Sequence, residues 1–318
     1  MSEKKKITAV VRSQTMLSEG IYDMWLVTEL AREAKPGQFA GVYPLDRSTL
    51  LPRPISICEV NEERTALRLV YRVAGAGTAE FSCWQPGQVV KMLGVLGNGY
   101  PLERAEGKCV ALLGGGIGVP PLLETAKELA QNSRVMAQKG KAARAATALP
   151  ESSEEQQSAA NQPDQRATTV SLLQESGDEK FSTADQLDQR AEVHSFLGYR
   201  DANIFLEEDF TRYSTLHIAT EDGSRGTRGN VLDALRESGL HPDVIMACGP
   251  MPMLRAIKQY AEKEGIEAYI SLEERMACGV GACLGCVVKT KNIDHHSHVN
   301  NARICTDGPV FDAKEVDI

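Results

Sequence analysis

Apolar and polar positions follow two different rhythms along this chain, and the change falls near residue 103. From Ile7 to Pro101, short apolar runs are separated by turn residues: Ile7–Val11, Ile21–Thr28, Gln38–Tyr43, Ile55–Val60, Ala66–Val73 and Val89–Leu93. Ala66–Val73 alternates, with Leu67, Leu69 and Tyr71 on one face and Arg68, Val70 and Arg72 on the other, the period of a strand. Pro36-Gly37 and Pro86-Gly87 are turn dipeptides. Six short strands at this spacing predict a β-barrel.

Beyond residue 103 the runs alternate between strand and helix. A buried strand, Cys109–Leu113, leads into Gly114, Gly115, Gly116 and Gly118, and a helix begins near Pro120-Pro121. Strand Val193–Leu197, polar helix Ala202–Phe210, strand Leu216–Ala219, helix Asn230–Glu237, strand Val244–Cys248 and a helix after Pro250 follow. This order predicts an α/β unit with a parallel sheet. Residues 131–190 break the rhythm. They are rich in Ala, Ser, Gln, Glu and Lys and poor in large apolar residues, so they are expected to be a largely disordered insertion. The expected units are a barrel over 1–103, an α/β domain over 104–270 carrying the insertion, and a small C-terminal unit over 271–318.

Composition narrows the function. At 42% hydrophobic and 25% charged the chain is an ordinary soluble globular protein. A net charge of −8 gives no electrostatic case for nucleic acid or an anionic membrane as partner. No apolar run is long enough for a membrane span. The start of the chain has lysines but no apolar signal core, so a cytoplasmic location is expected. In that reducing compartment cysteines serve as metal ligands or buried apolar residues rather than disulfides.

The densest chemistry is near the C-terminus. Cys278, Cys283, Cys286 and Cys305 follow C-x4-C-x2-C-x18-C, the first three in a loop with Gly279, Gly281 and Gly285. C-x4-C-x2-C…C is the plant-type pattern for a [2Fe–2S] cluster held by four thiolates. A structural zinc site is the main rival, but it usually pairs C-x2-C with C-x2-C or with histidines. Disulfides and unrelated core cysteines are the other readings. His295, His296 and His298 lie between the third and fourth cysteines among Asn292, Asp294, Ser297, Asn300 and Asn301, which reads as a polar loop tip.

Four further stretches suit phosphate-bearing cofactors. Arg53-Pro54-Ile55-Ser56 offers a permanently charged fork for a diphosphate and a hydroxyl for a ring edge. A surface arginine before an edge strand is the plain alternative. Gly75, Gly77 and Thr78 follow the strand that carries Val70, Tyr71 and Arg72. Gly114–Gly118 and Cys248-Gly249-Pro250 both end strands, at the edge where open α/β sheets bind ligands. The glycine turn meets the dinucleotide fingerprint only in part, because Pro121 stands in place of the third glycine. Cys248 suits either contact with a nicotinamide or the small end of a buried strand.

In order along the chain, Arg53–Ser56, YRVAGAGT (71–78), GVLGNGYPL (94–102), LGGGIGVPPL (113–122), LGYRDANIFLEEDF (197–210), CGPMPML (248–254) and CTDGPVFDA (305–313) resemble one family. It is that of the electron-transfer subunits of NAD-dependent (B-type) dihydroorotate dehydrogenase, within the ferredoxin–NADP reductase-like superfamily. The resemblance covers nearly the whole chain except the insertion. It implies an FAD-binding barrel, an NAD-binding α/β domain and a [2Fe–2S] unit. Arg53, Pro54, Ile55, Ser56, Val70, Tyr71, Arg72, Gly77 and Thr78 would hold FAD. Gly114, Gly115, Gly116, Gly118, Cys248, Gly249 and Pro250 would hold NAD, and Cys278, Cys283, Cys286 and Cys305 the cluster. It further implies an FMN-containing catalytic subunit as partner, in a heterotetramer of two plus two, and electron flow from dihydroorotate to NAD+ in pyrimidine biosynthesis. Dihydroorotate would react on the partner, so no general acid or base is expected here. Related reductases acting on ferredoxin or sulfur share the same three parts, and a zinc-stabilised nucleotide-binding regulator is the non-enzymatic alternative. Tyr199-Arg200-Asp201 leaves NAD and NADP both open, offering a cation for a 2′-phosphate and an acid for a ribose hydroxyl.

Overall fold

The computed structural model describes residues 6–46, 48–131, 191–293 and 298–318. The expected insertion lies outside them except for Gln131, which is helical. His295 and His296 also lie outside.

Six antiparallel strands close a barrel in the order β1-β2-β5-β4-β3-β6. They are β1 (Lys6–Ser18), β2 (Ile21–Val27), β3 (Phe39–Tyr43), β4 (Arg53–Val60), β5 (Ala66–Arg72) and β6 (Val89–Leu96). A short helix, α1 (Ala76–Phe81), follows β5. The inward side chains of β5, Leu67, Leu69 and Tyr71, pack in the barrel core with Met24, Leu26, Ile57 and Phe81. β1 is longer than its apolar run because it continues past a register shift at Val11/Ser13 and pairs β2 along its whole length.

A seven-stranded sheet forms the second unit, in the order β10-β9-β8-β7-β11-β12-β15. Its strands are β7 (Cys109–Gly115), β8 (Glu192–Tyr199), β9 (Thr215–Thr220), β10 (Thr227–Arg228), β11 (Val244–Cys248), β12 (Glu267–Ser271) and β15 (Val310–Asp312). All pairs are parallel except β12–β15. Helices α2 (residues 123–131), α3 (Glu207–Thr211), α4 (Val231–Ser238) and α5 (Met251–Glu264) cover the sheet. Every residue of β11 is buried, as expected of a strand covered on both faces. α4 starts at Asn230, whose side chain caps the N–H groups of Leu232 and Asp233. It stops at Gly239, which takes φ 69°.

The polar helix expected over Ala202–Phe210 is confined to α3. Asp201 Oδ1 accepts from the Asn203 N–H, Tyr199 Oη donates to the Phe205 carbonyl, and Leu206 sits at φ 63°. These local bonds hold 201–206 as a loop that buries Phe205 and Leu206. The third unit is the segment between β12 and β15. It contains a small hairpin, β13 (Val287–Lys289) with β14 (Asn301–Arg303).

Two seams join barrel and sheet. At the first, Arg68 on the outer face of β5 is 8% exposed. Its guanidinium forks onto Asp23 of β2, meets Glu59 of β4 at 3.1 Å and reaches Asp209 of α3 at 3.2 Å. Beside it Glu124 of α2 accepts the Val60 N–H at 2.9 Å, and Lys127 bonds the Val60 carbonyl. At the second seam, Asn98 exchanges hydrogen bonds with the backbone of Val310, at 2.7 and 3.0 Å. Removing one member of a buried ion group leaves the others desolvated and unpaired. Arg68→Ala is therefore expected to cost about 3–5 kcal/mol of stability, measured by urea unfolding of the full chain.

Candidate functional site: a cleft between barrel and sheet, and a four-thiol loop

A cleft of about 260 Å³ opens where β4 and β5 of the barrel face the last strands of the sheet. Arg53, Pro54, Ile55, Ser56, Val70, Tyr71, Arg72 and Thr78 line one side. The other is built from Ile117, Ser271, Leu272, Glu273, Glu274, Met276 and Pro309. Eight of the nine residues assigned to FAD from the sequence thus meet in one place. The ninth, Gly77, lies directly beside them: a Cβ there would sit 2.7 Å from Arg53 Nε, so the missing side chain is what lets the guanidinium lie against α1. Arg53 Nη1 also donates to the Leu51 carbonyl at 2.8 Å, which fixes its direction. Tyr71 is committed inside the barrel, where its phenol donates to Gln14 Oε1 at 3.0 Å and its ring stacks on Tyr22.

The C-terminal wall was not legible locally. Glu273 is its main surprise. Its side chain is exposed at the cleft mouth, where crowding by the wall partly desolvates the carboxyl and shifts its pKa upward, with nearby Arg72 opposing this. Cys248 is buried against Ser271 and near Glu273, in a cluster with Tyr100. Burial pushes its thiol up, and the phenol of Tyr100 donates to the Ala247 carbonyl at 2.9 Å. The thiol is packed into the core behind the cleft wall rather than lining the cleft.

The two strand-end turns assigned to NAD are neighbours, since Cys248 pairs with Gly114. They touch backbone to backbone. A Cβ on Gly118 would come 2.4 Å from the Cys248 carbonyl oxygen and 2.6 Å from Gly249 Cα. Gly116 takes φ 55° with open space where a side chain would be. Two short 3-10 turns, Gly116–Gly118 and Pro120–Leu122, precede α2, so the chain enters that helix tightly wound. Of Tyr199-Arg200-Asp201, Tyr199 is tied to Phe205 and Asp201 to Asn203, while Arg200 is exposed.

The four cysteines of the C-terminal loop face one another as two pairs. Cys283 is the thiol that most affects Cys278, and Cys286 the one that most affects Cys305. Two pairs suit a centre with two irons, one pair to each. Burial works against ionising Cys278, but the N–H groups of Val280, Cys283 and Ala282 and the Cys283 thiol outweigh it and bring its pKa to about 6. The Val280 and Gly285 N–H groups each lie 3.4 Å from a sulfur, of Cys278 and Cys283 respectively. Backbone donors aimed at sulfur are what a bound thiolate requires. Cys305, by contrast, is raised to about 12 by burial and by its neighbour Cys286. Gly279 and Gly281 take φ 67° and 82°, and Leu284 is held at φ 55° with its side chain 65% exposed. His298 is exposed.

A barrel joined to a mainly parallel sheet, with a cleft between them lined by Arg53 and glycine turns at the strand ends nearby, defines a reductase of the ferredoxin–NADP reductase type. The same fold is seen in a chain of the NADH-dependent reduced ferredoxin-NADP oxidoreductase, at TM-score 0.69 and 22% identity over 97% of this chain and 89% of that one. The ferredoxin NADP+ reductase of Neisseria gonorrhoeae, solved with bound FAD and NADP, matches at TM-score 0.54 and 13% identity over 86% and 95%. The iron-sulfur cluster binding domain of dihydroorotate dehydrogenase B matches residues 273–317. A Bacillus caldolyticus protein named dihydroorotate dehydrogenase B (NAD(+)), electron transfer subunit, is 36% identical over 310 residues, 96% of each chain. The Listeria monocytogenes protein of the same name is 34% identical over 97% of each. The chain belongs to the family of electron transfer subunits of NAD-dependent dihydroorotate dehydrogenase B.

The raised pKa of Glu273 sets a sign for stability. An unfolded glutamate ionises near pH 4.3. Above that pH the unfolded chain sheds a proton that folded Glu273 retains, so this residue makes stability fall as pH rises through its folded pKa. In the flavin-free protein, Glu273→Gln is expected to raise the thermal midpoint at pH 7 and to leave it unchanged below about pH 4. A loss of stability at pH 7 would contradict the sign.

Proposed function

We propose that this chain carries electrons between the FMN of a dihydroorotate dehydrogenase catalytic subunit and NAD+, through its own cluster and flavin. Family membership supports the class. The observation that carries the assignment to this chain's residues is the shared frame of cleft and thiol loop: Ser271–Glu274 line the cleft and lead straight into Cys278. When bound, the [2Fe–2S] centre supplies one-electron carriage, the flavin one- or two-electron carriage, and NAD+ accepts a hydride.

The protein's part is placement. Arg53, lying over Gly77, offers a fixed charge to the flavin diphosphate, and Thr78 is close by on α1. Ser56 faces the ring edge from β4. Val70, Ile117 and Leu272 give that part of the cleft an apolar lining that excludes water. Gly116 leaves the strand end open for the NAD diphosphate, and Gly118 lets that turn pack directly on Cys248 and Gly249. Cys278, Cys283, Cys286 and Cys305 hold the cluster, and the Val280 and Gly285 N–H groups stabilise the thiolate charge. Exposed Val280 and Leu284 next to these ligands form the apolar surface on which the catalytic subunit docks. The assembly is two of each chain.

Cys286→Ser tests the route. In the complex purified anaerobically with its catalytic subunit, dihydroorotate should bleach the visible absorbance of wild type, with two irons per chain. The variant should lose iron, and dihydroorotate-dependent NADH formation should fall to background. NADH should still reduce its flavin. If NADH bleaches the wild-type complex and dihydroorotate never does, the substrate belongs to a related reductase.

A further inference from the structure

At the edge of the sheet opposite the cleft, three strands begin with side chains that electron transfer leaves unused. Cys109 opens β7, and its register partner Glu192 opens β8. The Glu192 N–H donates to the Lys108 carbonyl at 3.0 Å, which pins the two strand starts together. His194 follows on the same face of β8, because side chains alternate along a strand. The Cys109 sulfur, a Glu192 carboxylate oxygen and a His194 ring nitrogen all lie within 4.8 Å of one another. His217 of β9 extends the row. Its Nε2 is 3.3 Å from His194 Nδ1, and its ring stacks on Phe196 with centroids 4.3 Å apart.

We infer that Cys109, Glu192 and His194 form a zinc site separate from the iron–sulfur loop. The donor set selects the ion. Thiolate, imidazole and carboxylate together suit zinc, whereas calcium and magnesium take all-oxygen ligands. The spacing is already close to what the ion needs. His194 Nε2 and Glu192 Oε1 are 3.0 Å apart, and two such ligands on a tetrahedral zinc stand about 3.3 Å apart. Three protein ligands leave a fourth position, and Glu192, with its side chain 71% exposed, leaves that position open to water.

His217 is the positioning residue. With His194 Nδ1–H donating to His217 Nε2, the lone pair of His194 Nε2 is free for the metal. Without metal the chain of bonds runs the other way, His217 donating to His194 and His194 Nε2–H donating to Glu192. Hydrogen bonding by itself accounts for the two histidines and the carboxylate. The register of β7 and β8 sets the thiol beside them, which completes a set of three different donor types within reach of one ion. The bound ion ties the first residues of β7 and β8 across the strand pair, so it stabilises the folded sheet by mass action.

The test uses the full chain carrying iron and flavin, washed with a mild chelator and dialysed against micromolar Zn2+. Zinc and iron are counted per chain by elemental analysis, and the thermal midpoint is read with and without zinc. Wild type should retain about one zinc per chain with its iron unchanged and should melt higher when loaded. Cys109→Ser and Glu192→Gln, both at positions that are not fully buried, should abolish retention and the shift. His217→Ala should weaken binding about 10–100-fold, as loss of an outer hydrogen-bond partner does. Zinc retained equally by Cys109→Ser, zinc gained only as iron is lost, or no zinc retained by wild type would each overturn the site.

Discussion

The guanidinium of Arg68 is removed from water and held by three carboxylates from three different elements, two in the barrel and one on the sheet's helix α3. A charge in that position tolerates little movement. Its desolvation is offset only while all its partners stay in place, so the relative position of barrel and sheet is set by this group. The cleft lies between those same two units, with β5 contributing Arg68 to the seam and its neighbours Val70 and Arg72 to the cleft wall. The spacing of the cleft walls is therefore an electrostatic consequence, established on the same face of β5 a few residues before the cleft begins.

The far wall has a different origin. β15 adds antiparallel to β12, and the Leu272 N–H bonds the Pro309 carbonyl at 2.9 Å. Both strand ends then contribute to the cleft, while the intervening chain carries the four cysteines. Asn98, from the end of the barrel, grips the same β15. One short strand thus registers barrel, sheet and thiol loop against each other. That is how a chain with three units keeps its redox groups in a fixed arrangement.

Much of this could be read in the residues. Short apolar runs separated by turn residues marked the six barrel strands, and strand–glycine–helix order marked the parallel sheet. The cysteine spacing marked the loop. What stayed hidden was set by contacts distant in sequence. Alternation along β5 put Arg68 and Arg72 on one face without saying what covers it, and Arg68 is buried with a partner on α3, Asp209, 141 positions away. Glu273 and Pro309 carry no local motif; their place in the cleft follows from β15 closing on β12. The helix expected over Ala202–Phe210 failed because side-chain bonds from Asp201 and Tyr199 outcompeted the helical pattern.

The small hairpin in the C-terminal loop has a consequence for assembly. β13 and β14 pair, and the Ile304 N–H bonds the Cys286 carbonyl at 2.9 Å, which brings the third and fourth cysteines together through backbone alone. The long gap between them is closed before any metal arrives. Lengthening a flexible connection costs only about 0.6 kcal/mol per doubling, and here that cost falls on the hairpin tip rather than on the ligand geometry. Thr290 and Lys291 then tie the hairpin to the last residues of the chain, so the pairing that sets Cys286 beside Cys305 is also anchored from outside the loop.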